Sequence, residues 1–169
     1  MKVETVKGQR NNKRLVILLF ALVAMSGLQA QGIKKIKITD LEKTMMESTG
    51  PTIISFWATF CIPCLEEIPY FQEEIAKYKQ DSIQYLLVSL DLEDHFPKKI
   101  EDVVKKNKIT APVVWLDEYN ADYFCPKVDP KWSGAIPATL FINNKKGYRK
   151  FYEDQVSHDQ LKKEIMAIL

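Results

Sequence analysis

The sequence predicts an α/β fold of three layers, in which a mixed central β-sheet carries helices on both faces. The middle of the chain reads as a strand, a helix and a second strand, an order that favours a parallel crossover. Farther along, two short apolar runs separated by a turn sequence read as a hairpin, which adds antiparallel strands. A last amphipathic helix follows the hairpin. These observations together predict the mixed sheet and its helical layers.

The first thirty residues read as a targeting segment. The basic pair Lys13 and Arg14 precedes an uncharged run over residues 15–28, and small or polar residues follow up to Ala30. This order is typical of a secretory signal peptide. A helix over the run would span about 21 Å, which is short of the roughly 30 Å hydrocarbon core of a bilayer. We therefore predict a signal peptide at residues 1–30, with an uncleaved N-terminal anchor as the alternative, and one domain at residues 31–169.

Composition and charge fit one globular domain without a nucleic-acid partner. Apolar residues make up 46% of the 169 residues and charged residues 27%, which excludes a disordered chain. Of the 24 Lys and Arg residues, five lie in the first thirty positions, against one of the 22 acidic residues, so residues 31–169 have a net charge of −2. Such a mixed surface gives no electrostatic reason to expect nucleic acid or anionic lipid as a partner.

The strand, helix, strand unit begins with residues 52–57 and ends with residues 83–90. Both runs are rich in β-branched and aromatic residues, as is typical of strands buried on both faces. Between them, apolar residues recur at the spacing of one helix face: Leu65, Ile68, Phe71, Ile75 and Tyr78. Charged residues of the same helix are predicted on its opposite, exposed side: Glu66, Glu67, Glu73, Lys77 and Lys79.

The C-terminal part is predicted to contain the hairpin and the last helix. Residues 138–142 and 148–152 read as antiparallel strands, and residues 143–147 read as the turn between them. Ser157 and Gln160 have the spacing of a capping box, which predicts that a helix opens there.

Cys61 and Cys64 lie where the first predicted strand gives way to the helix. We expect the helix to begin at Cys64, which places Cys61 at or beside the N-cap. Unpaired backbone N–H groups and the positive end of the helix dipole favour a thiolate there, so we expect a lowered pKa for the Cys61 thiol. Pro63 suits the first turn of a helix and stiffens the loop. Cys64 should be more buried, which suits attack on a mixed disulfide from within the protein.

Three other interpretations of the cysteine pair are weaker on the residues alone. A zinc site would need two further ligands, but His95 and His158 are isolated in the sequence and no second Cys-x-x-Cys occurs. A purely structural disulfide across so short a ring would stabilise the fold little. A peroxide-reducing cysteine is expected to follow Thr or Ser by three positions, where this chain has Ala58.

Two stretches resemble the thioredoxin superfamily, and within it the exported thiol-disulfide oxidoreductases of the TlpA and ResA type. Residues 56–69, FWATFCIPCLEEIP, are similar to the signature Phe-Trp-x-x-Trp-Cys-x-Pro-Cys-x-x-Glu-x-Pro at nearly every position. Residues 134–139, GAIPAT, resemble the loop with a cis-proline that precedes a strand in that family. Pro137 follows Cys61 by 76 positions, which is similar to the spacing of the exported subfamily. The resemblance implies a thioredoxin-like fold with an insertion before the cis-proline loop.

The resemblance also implies roles for individual residues. Cys61 would be the nucleophile and Cys64 the resolving thiol, and their disulfide would be the redox-active group, with no other cofactor and no metal. Pro137, in a cis peptide bond, would lie opposite the cysteines, and Ile136 would offer its backbone to an extended substrate segment. Further substrate contacts would come from two aromatic residues before the cysteine pair, Trp57 and Phe60. The two residues between the cysteines, Ile62 and Pro63, would also contact the substrate.

The chain departs from the resemblance at positions that affect proton transfer and redox direction. Ser55 stands where cytoplasmic thioredoxins have a buried acid, and Ile62 stands where ResA-type proteins often have Glu. The sequence therefore identifies no proton acceptor for Cys64. The two residues between the cysteines also lack the histidine that is typical of strongly oxidising members, and this absence favours a reductant.

The favoured function is an exported, periplasmic protein-disulfide reductase that acts through a mixed disulfide. Its expected partners are disulfide-containing client proteins and an upstream thiol electron donor, such as a membrane protein, and the chain is expected to be a monomer. An oxidase or an isomerase would use the same two cysteines. A Cu(I)-binding, copper-handling module is an alternative of a different class, because soft thiolates select Cu(I).

Other chemically notable residues are interpreted structurally. Cys125 has no partner nearby in the sequence and is expected to be a small buried hydrophobic residue. A further set is expected to be solvated: Asp91, Glu93, Asp94, His95 and His158.

Overall fold

Six strands form one mixed sheet in the order β1-β4-β3-β2-β5-β6. The structure is a computed structural model that describes residues 32–169. The strands are β1 (Lys34–Ile36), β2 (Thr52–Trp57), β3 (Gln84–Ser89), β4 (Val113–Leu116), β5 (Ala138–Asn143) and β6 (Tyr148–Tyr152). The helices are α1 (Ile38–Glu47), α2 (Ile62–Ile75), α3 (Lys98–Lys106), α4 (Ala121–Val128) and α5 (His158–Ile168). Short 3-10 helices follow α2, β3 and β5, at Ala76–Asp81, Glu93–His95 and Asn144–Lys146.

The sheet has a parallel part and an antiparallel part. β1, β4, β3 and β2 run parallel to their neighbours, whereas β5 is antiparallel to β2 and β6 is antiparallel to β5. α2 is the crossover between the adjacent parallel strands β2 and β3. The mixed α/β sheet predicted from the sequence is confirmed.

Helices cover both faces of the sheet, so the predicted three layers are confirmed. The side chains of β2 alternate between two core clusters. Ile53 and Trp57 pack in the cluster that includes residues of α2, α3 and α5. Ile54 and Phe56 pack in the cluster that includes residues of α1 and α4. β2 is therefore buried on both faces, and its carboxyl end is held firmly where the cysteine pair follows.

The element boundaries agree closely with the sequence predictions, except at the start of α2. β2 and β6 have the predicted bounds, and Ser157 forms the predicted capping box with Gln160 at the start of α5. α2 begins at Ile62, two residues before the predicted start. The reason is that Cys61 itself has the extended backbone of an N-cap, with φ −85° and ψ 95°, so that Ile62 already lies in the first turn.

The segment between β3 and β5 contains α3, β4 and α4, none of which the sequence predicted individually. Its last part is tied into the core by Trp132. The ring centroid of Trp132 lies 4.4 Å from that of Phe56 and 5.7 Å from those of Phe124 and Phe151. The approach to β5 is therefore fixed by aromatic packing on the face covered by α1 and α4.

The predicted signal peptide or anchor at residues 1–30 lies outside the described residues. Within residues 32–169, no helix combines the length and the apolar character needed to cross a membrane. These described residues form one compact unit.

Candidate active site

The first part of the site is the turn that joins β2 to α2. The backbone N–H of Cys61 donates to the carbonyl oxygen of Ala58 at 3.0 Å, which closes the turn over residues 58–61. The carbonyl oxygen of Cys61 accepts from the N–H of Leu65 at 3.1 Å, a helical hydrogen bond at the start of α2. Cys61 is thus the N-cap residue, and its side chain lies at the unpaired N–H groups of the first turn.

Cys61 and Cys64 are joined by a disulfide bond, with 5.3 Å between their Cα atoms. The backbone N–H of Cys64 also points at the Sγ of Cys61, at 3.3 Å. Cys61 is 7% exposed and Cys64 is 1% exposed, so Cys61 is the cysteine that a protein disulfide can approach. In the reduced state this N–H group and the positive end of the helix dipole would both favour a thiolate at Cys61.

Apolar side chains flank the disulfide. Phe60 is 63% exposed and Ile62 is 69% exposed, and Pro63 is also exposed. Trp57 is buried and packs in the same core cluster as both cysteines. The structure therefore places Phe60 and Ile62 where a client can contact them, whereas it places Trp57 in the core beside the disulfide.

The second part of the site is the loop that leads into β5. The peptide bond between Ile136 and Pro137 is cis, and Pro137 is buried. Ile136 is half-buried and packs against the core cluster that contains Cys61 and Cys64. Phe56 pairs with Ala138 across β2 and β5, so the two stretches that the sequence singled out are neighbours in the fold.

Two side chains hold this loop in place. The indole N–H of Trp132 donates to the carbonyl oxygen of Ala135 at 2.9 Å. The carboxylate of Glu153 accepts from the backbone N–H groups of Ser133 at 2.8 Å and Ala135 at 3.1 Å. The hydroxyl of Ser133 and these backbone groups keep the pKa of Glu153 below its ordinary value. The loop is therefore preorganised by its hydrogen bonds with Trp132 and Glu153.

Cys125 lies behind the same loop. It is buried, and its Sγ lies 3.6 Å from where a Cβ would sit at Gly134, whose φ of +96° favours glycine. Burial, followed by the charges of Glu153 and Asp122, raises the pKa of the Cys125 thiol to about 11. The predicted burial of Cys125 is confirmed, and burial and the raised pKa both disfavour its thiolate at neutral pH.

Glu67 is a site residue that the sequence reasoning missed. The prediction that it lies on the exposed side of the helix is wrong, because Glu67 is 2% exposed and accepts from the backbone N–H of Val156 at 3.1 Å. Burial raises the pKa of Glu67 to about 7; the charge of Asp154 adds to this rise, and the Val156 hydrogen bond opposes it. Residues three apart share a helix face, so Glu67 lies on the same side of α2 as Cys64. The Glu of the quoted signature falls at this position and could have identified it.

Asp91 and His95 are also more buried than predicted. The side chain of Asp91 is 0% exposed and that of His95 is 16% exposed. The Asp91 carboxylate accepts from the backbone N–H of Thr59 at 2.9 Å, and the ring of His95 lies 2.8 Å from the same carboxylate. The prediction of a solvated turn is wrong here because the active-site turn folds over the end of β3. Glu93, Asp94 and His158 are exposed, as predicted.

The cysteine pair offers two sulfur atoms but no further metal ligands are arranged around it. Within residues 32–169, no group of three or more His, Cys, Asp or Glu side chains is placed to hold a metal ion. His95 has both ring nitrogens engaged, Nδ1 by Asp91 and Nε2 by the ammonium of Lys99 at 2.8 Å. The arrangement is suited to thiol-disulfide exchange.

The chain matches known proteins over most of its length. Residues 23–149 match the model of the AhpC/TSA family. The sporulation thiol-disulfide oxidoreductase A of Bacillus subtilis is 29% identical over 166 residues, which cover 89% of this chain and 95% of that protein. The thiol-disulfide oxidoreductase ResA of Oceanobacillus iheyensis is 29% identical over 122 residues, which cover 69% of this chain and 55% of that protein.

Solved structures share the fold. StoA from Bacillus subtilis superposes with a TM-score of 0.54 and 27% identity, covering 70% of this chain and 85% of that one. A thioredoxin-related protein from Neisseria meningitidis serogroup B superposes with a TM-score of 0.61 and 23% identity, covering 72% of this chain and 86% of that one, a likeness of fold alone. The predicted thioredoxin-like fold is confirmed.

The raised pKa of Glu67 predicts a pH dependence of stability. The pKa is about 7 in the folded protein and has its ordinary value of 4.5 in the unfolded chain. Between these values the folded protein holds a proton that the unfolded chain has released, so the free energy of unfolding falls as the pH rises from 4.5 to about 7. The loss is on the order of 3 kcal/mol and levels off at higher pH.

Glu67→Gln removes this titration and keeps an oxygen that can accept from Val156. We expect the variant to match the wild type near pH 4 and to be the more stable of the two at pH 8, as measured by denaturant unfolding of the oxidised proteins. Glu66→Gln, at an exposed neighbouring position, should show no such divergence. A stability difference between Glu67→Gln and wild type that stays constant with pH would contradict the prediction.

Proposed function

The chain belongs to the AhpC/TSA family, and on that premise we propose that it is a thiol-disulfide oxidoreductase of the ResA and StoA type that reduces disulfides in exported proteins. The observation that carries the proposal is the Cys61–Cys64 disulfide at the N-terminus of α2, in a core cluster against which Ile136 of the cis-proline loop packs. The names of the similar proteins support the same chemistry. The segment at residues 1–30 supports export, since its order of charged, apolar and small residues is that of a signal peptide.

The reaction uses the two cysteines in sequence. The Cys61 thiolate attacks one sulfur of a client disulfide, forms a mixed disulfide and releases the first client thiolate. Cys64 then loses its proton and attacks the Sγ of Cys61, which releases the second client thiolate. Two electrons pass to the client, which leaves as a dithiol, and the protein leaves with its Cys61–Cys64 disulfide. A thiol electron donor restores the reduced pair by the same exchange in reverse.

Glu67 is suited to take the proton from Cys64. It shares a face of α2 with Cys64, and a carboxylate with a pKa of about 7 is a better base at neutral pH than an ordinary Glu. Its burial also keeps bulk water away from the proton transfer. Glu67 thereby fills the role for which the sequence identified no residue.

Client binding would use backbone and apolar contacts rather than a deep pocket. Ile136 packs against the core cluster that contains both cysteines and lies two residues before β5, and its backbone would pair with an extended client chain. Phe60 and Ile62, the chain neighbours of Cys61, provide exposed apolar area. Contacts of this kind select for an accessible disulfide in an unfolded or flexible segment more than for one sequence.

We propose that electrons flow from the Cys61–Cys64 dithiol to the client disulfide, so that the client is reduced. The residues between the cysteines are Ile62 and Pro63, and neither side chain can donate a hydrogen bond or a positive charge to the Cys61 thiolate. A less stabilised thiolate makes the reduced form less stable and the dithiol a stronger reductant. The expected partners are client disulfides and a thiol donor, and the expected location is outside the cytoplasm.

Cys64→Ala is expected to trap clients. The variant can form the mixed disulfide at Cys61 but has no internal thiol to resolve it, so covalent adducts should accumulate in cells that export the protein. The adducts would be seen as bands of higher mass that disappear on treatment with dithiothreitol. The double variant Cys61→Ala, Cys64→Ala is the control and should form none. Absence of adducts with normal export of Cys64→Ala would argue against the proposed reaction.

The redox potential of the cysteine pair tests the direction. We expect a value near that of thioredoxin, about −270 mV, from equilibration of the protein with dithiothreitol or glutathione buffers. The fraction of disulfide would be measured by alkylation and mass spectrometry. A potential near −120 mV would mean that the protein is an oxidant, and the assignment of reduction would be wrong.

The role of Glu67 predicts a pH profile for release of the client. In the wild type, the rate at which a preformed mixed disulfide resolves should rise as the pH passes about 7. In Glu67→Gln this rise should vanish, and resolution at pH 8 should slow by about tenfold or more. Stopped-flow release of a chromophoric thiol from Cys61 measures both rates, with Glu66→Gln as control. An unchanged profile in Glu67→Gln would assign the base to another group.

A further inference from the structure

A buried carboxylate lies behind the active-site turn. The two oxygens of Asp91 accept hydrogen bonds from the backbone N–H of Thr59 at 2.9 Å and the hydroxyl of Ser89 at 2.8 Å, and also from the hydroxyl of Thr59. The hydroxyl of Ser89 accepts from the backbone N–H of Asp91 at 3.1 Å, so its own proton faces the carboxylate. All of these groups can donate to a charged carboxylate, so the hydrogen bonds suit the ionised form of Asp91.

His95 completes the set of donors as a neutral ring. Its Nδ1 lies 2.8 Å from Oδ1 of Asp91, and its Nε2 lies 2.8 Å from the ammonium of Lys99, which can only donate. Nε2 is therefore the acceptor and Nδ1 carries the proton. Asp94 is the other charged group near the ring, with its carboxylate 3.9 Å from Nε2. The partners of Asp91 thus suit a negatively charged carboxylate, and within residues 32–169 no Lys or Arg lies within salt-bridge distance of it.

The Asp91 carboxylate is coupled directly to the turn that carries the nucleophile. Thr59 lies two residues before Cys61, inside the turn closed by the hydrogen bond from Cys61 to Ala58. Two residues of extended chain reach about 7 Å at most, so the carboxylate lies within roughly 10 Å of the Cys61 backbone. The indole N–H of Trp115 fixes the other side of Asp91 by donating to its carbonyl oxygen at 2.7 Å. The turn is therefore anchored to β3 and β4 through one acidic residue.

We propose that Asp91, supported by His95, is a positioning residue that anchors the active-site turn and places a buried negative charge behind Cys61, thereby favouring the disulfide form of the pair. The proposal rests on Cys61 being the attacking cysteine of the proposed function. It assigns a role in the redox chemistry to residues that do not touch the client.

The physical basis is the charge of the thiolate. In the exchange with glutathione, the protein disulfide and two glutathione molecules give the protein dithiol and glutathione disulfide, so two electrons pass to the protein pair. The thiolate of Cys61 exists only on the reduced side of this equilibrium. A buried negative charge nearby makes that thiolate less stable. The repulsion between the two charges is stronger here than in water, because the local dielectric constant is low. The charge of Asp91 therefore opposes the helix dipole and makes the dithiol a stronger reductant.

Asp91→Asn tests the inference, because it removes the charge at nearly constant size. The midpoint of the pH dependence with which iodoacetamide alkylates Cys61 should fall by about one unit. The equilibrium constant with glutathione should shift about tenfold toward the dithiol. Peptide mass spectrometry would locate the label at Cys61 and separate it from Cys64 and Cys125. Circular dichroism would show that the variant is folded.

Thr59→Val and Ser89→Ala are matched controls, because each removes a hydroxyl donor to Asp91 and keeps the charge. Both should leave the Cys61 midpoint at or above the wild-type value, since the charge is then less shielded. A fall in the midpoint in either control equal to that in Asp91→Asn would mean that looseness of the turn, and not charge, is responsible, and would overturn the proposal. Folded Asp91→Asn with unchanged midpoint and equilibrium would also overturn it.

Asp91→Ser, whose hydroxyl can still accept from Thr59, replaces Asp91→Asn if that variant does not fold, and the same shifts are expected. Both measurements use small reagents and no client. A failure to reduce clients would therefore count against the proposed function without affecting these two measurements. If the Cys61 midpoint and the equilibrium constant do not change in the variant, the role of Asp91 is wrong, whether or not clients are reduced.

Discussion

The position of Cys61 at the N-cap of α2 is the constraint on which the rest of the site depends. β2 is buried on both faces, so the point where the chain leaves the sheet is fixed, and the turn over residues 58–61 leads directly into α2. Cys61, the nucleophile of the proposed reaction, thus meets the free N–H groups of a helix without a dedicated cationic side chain. Pro63 fits in the first turn because no N–H is needed there. The same geometry buries Cys64 and leaves one cysteine accessible.

One feature of the site stabilises a thiolate at Cys61, and two buried carboxyl groups lie nearby in the fold. The helix N-terminus stabilises a thiolate. Glu67 is a buried acid on α2, and Asp91 is a buried acid that accepts from Thr59 in the turn. Their hydrogen bonds differ, and so do their expected states. Glu67 has one backbone donor and a pKa of about 7, so it can exchange a proton at neutral pH. Asp91 has several donors, which suits the fixed charge proposed for it. One carboxyl group is thus suited to move a proton and the other to set the stability of the thiolate.

Much of the fold could be predicted because its signals are local. The apolar runs of β2 and β3, the helical spacing of Ile68 and Phe71, and the capping box at Ser157 each depend on a few adjacent residues. The elements that the sequence did not predict are short or have few apolar residues. Examples are β1, with three residues, and the highly charged helix α3. Those elements exist because the sheet provides pairing partners and a surface to pack on, which no local pattern records.

The sequence by itself determined the chemistry of the site: two cysteines three positions apart, a proline between them, and a second stretch around Pro137 with the resemblance that pairs the two. Only the tertiary structure decided which polar side chains are buried around the active-site turn and α2. Glu67 and Asp91 were both assigned to solvent because periodicity and composition treat a carboxylate as a surface group. Their burial depends on Val156 and Thr59, which lie 89 and 32 positions away in the chain. A buried polar group is defined by the partners that satisfy it, and folding alone brings those partners within reach.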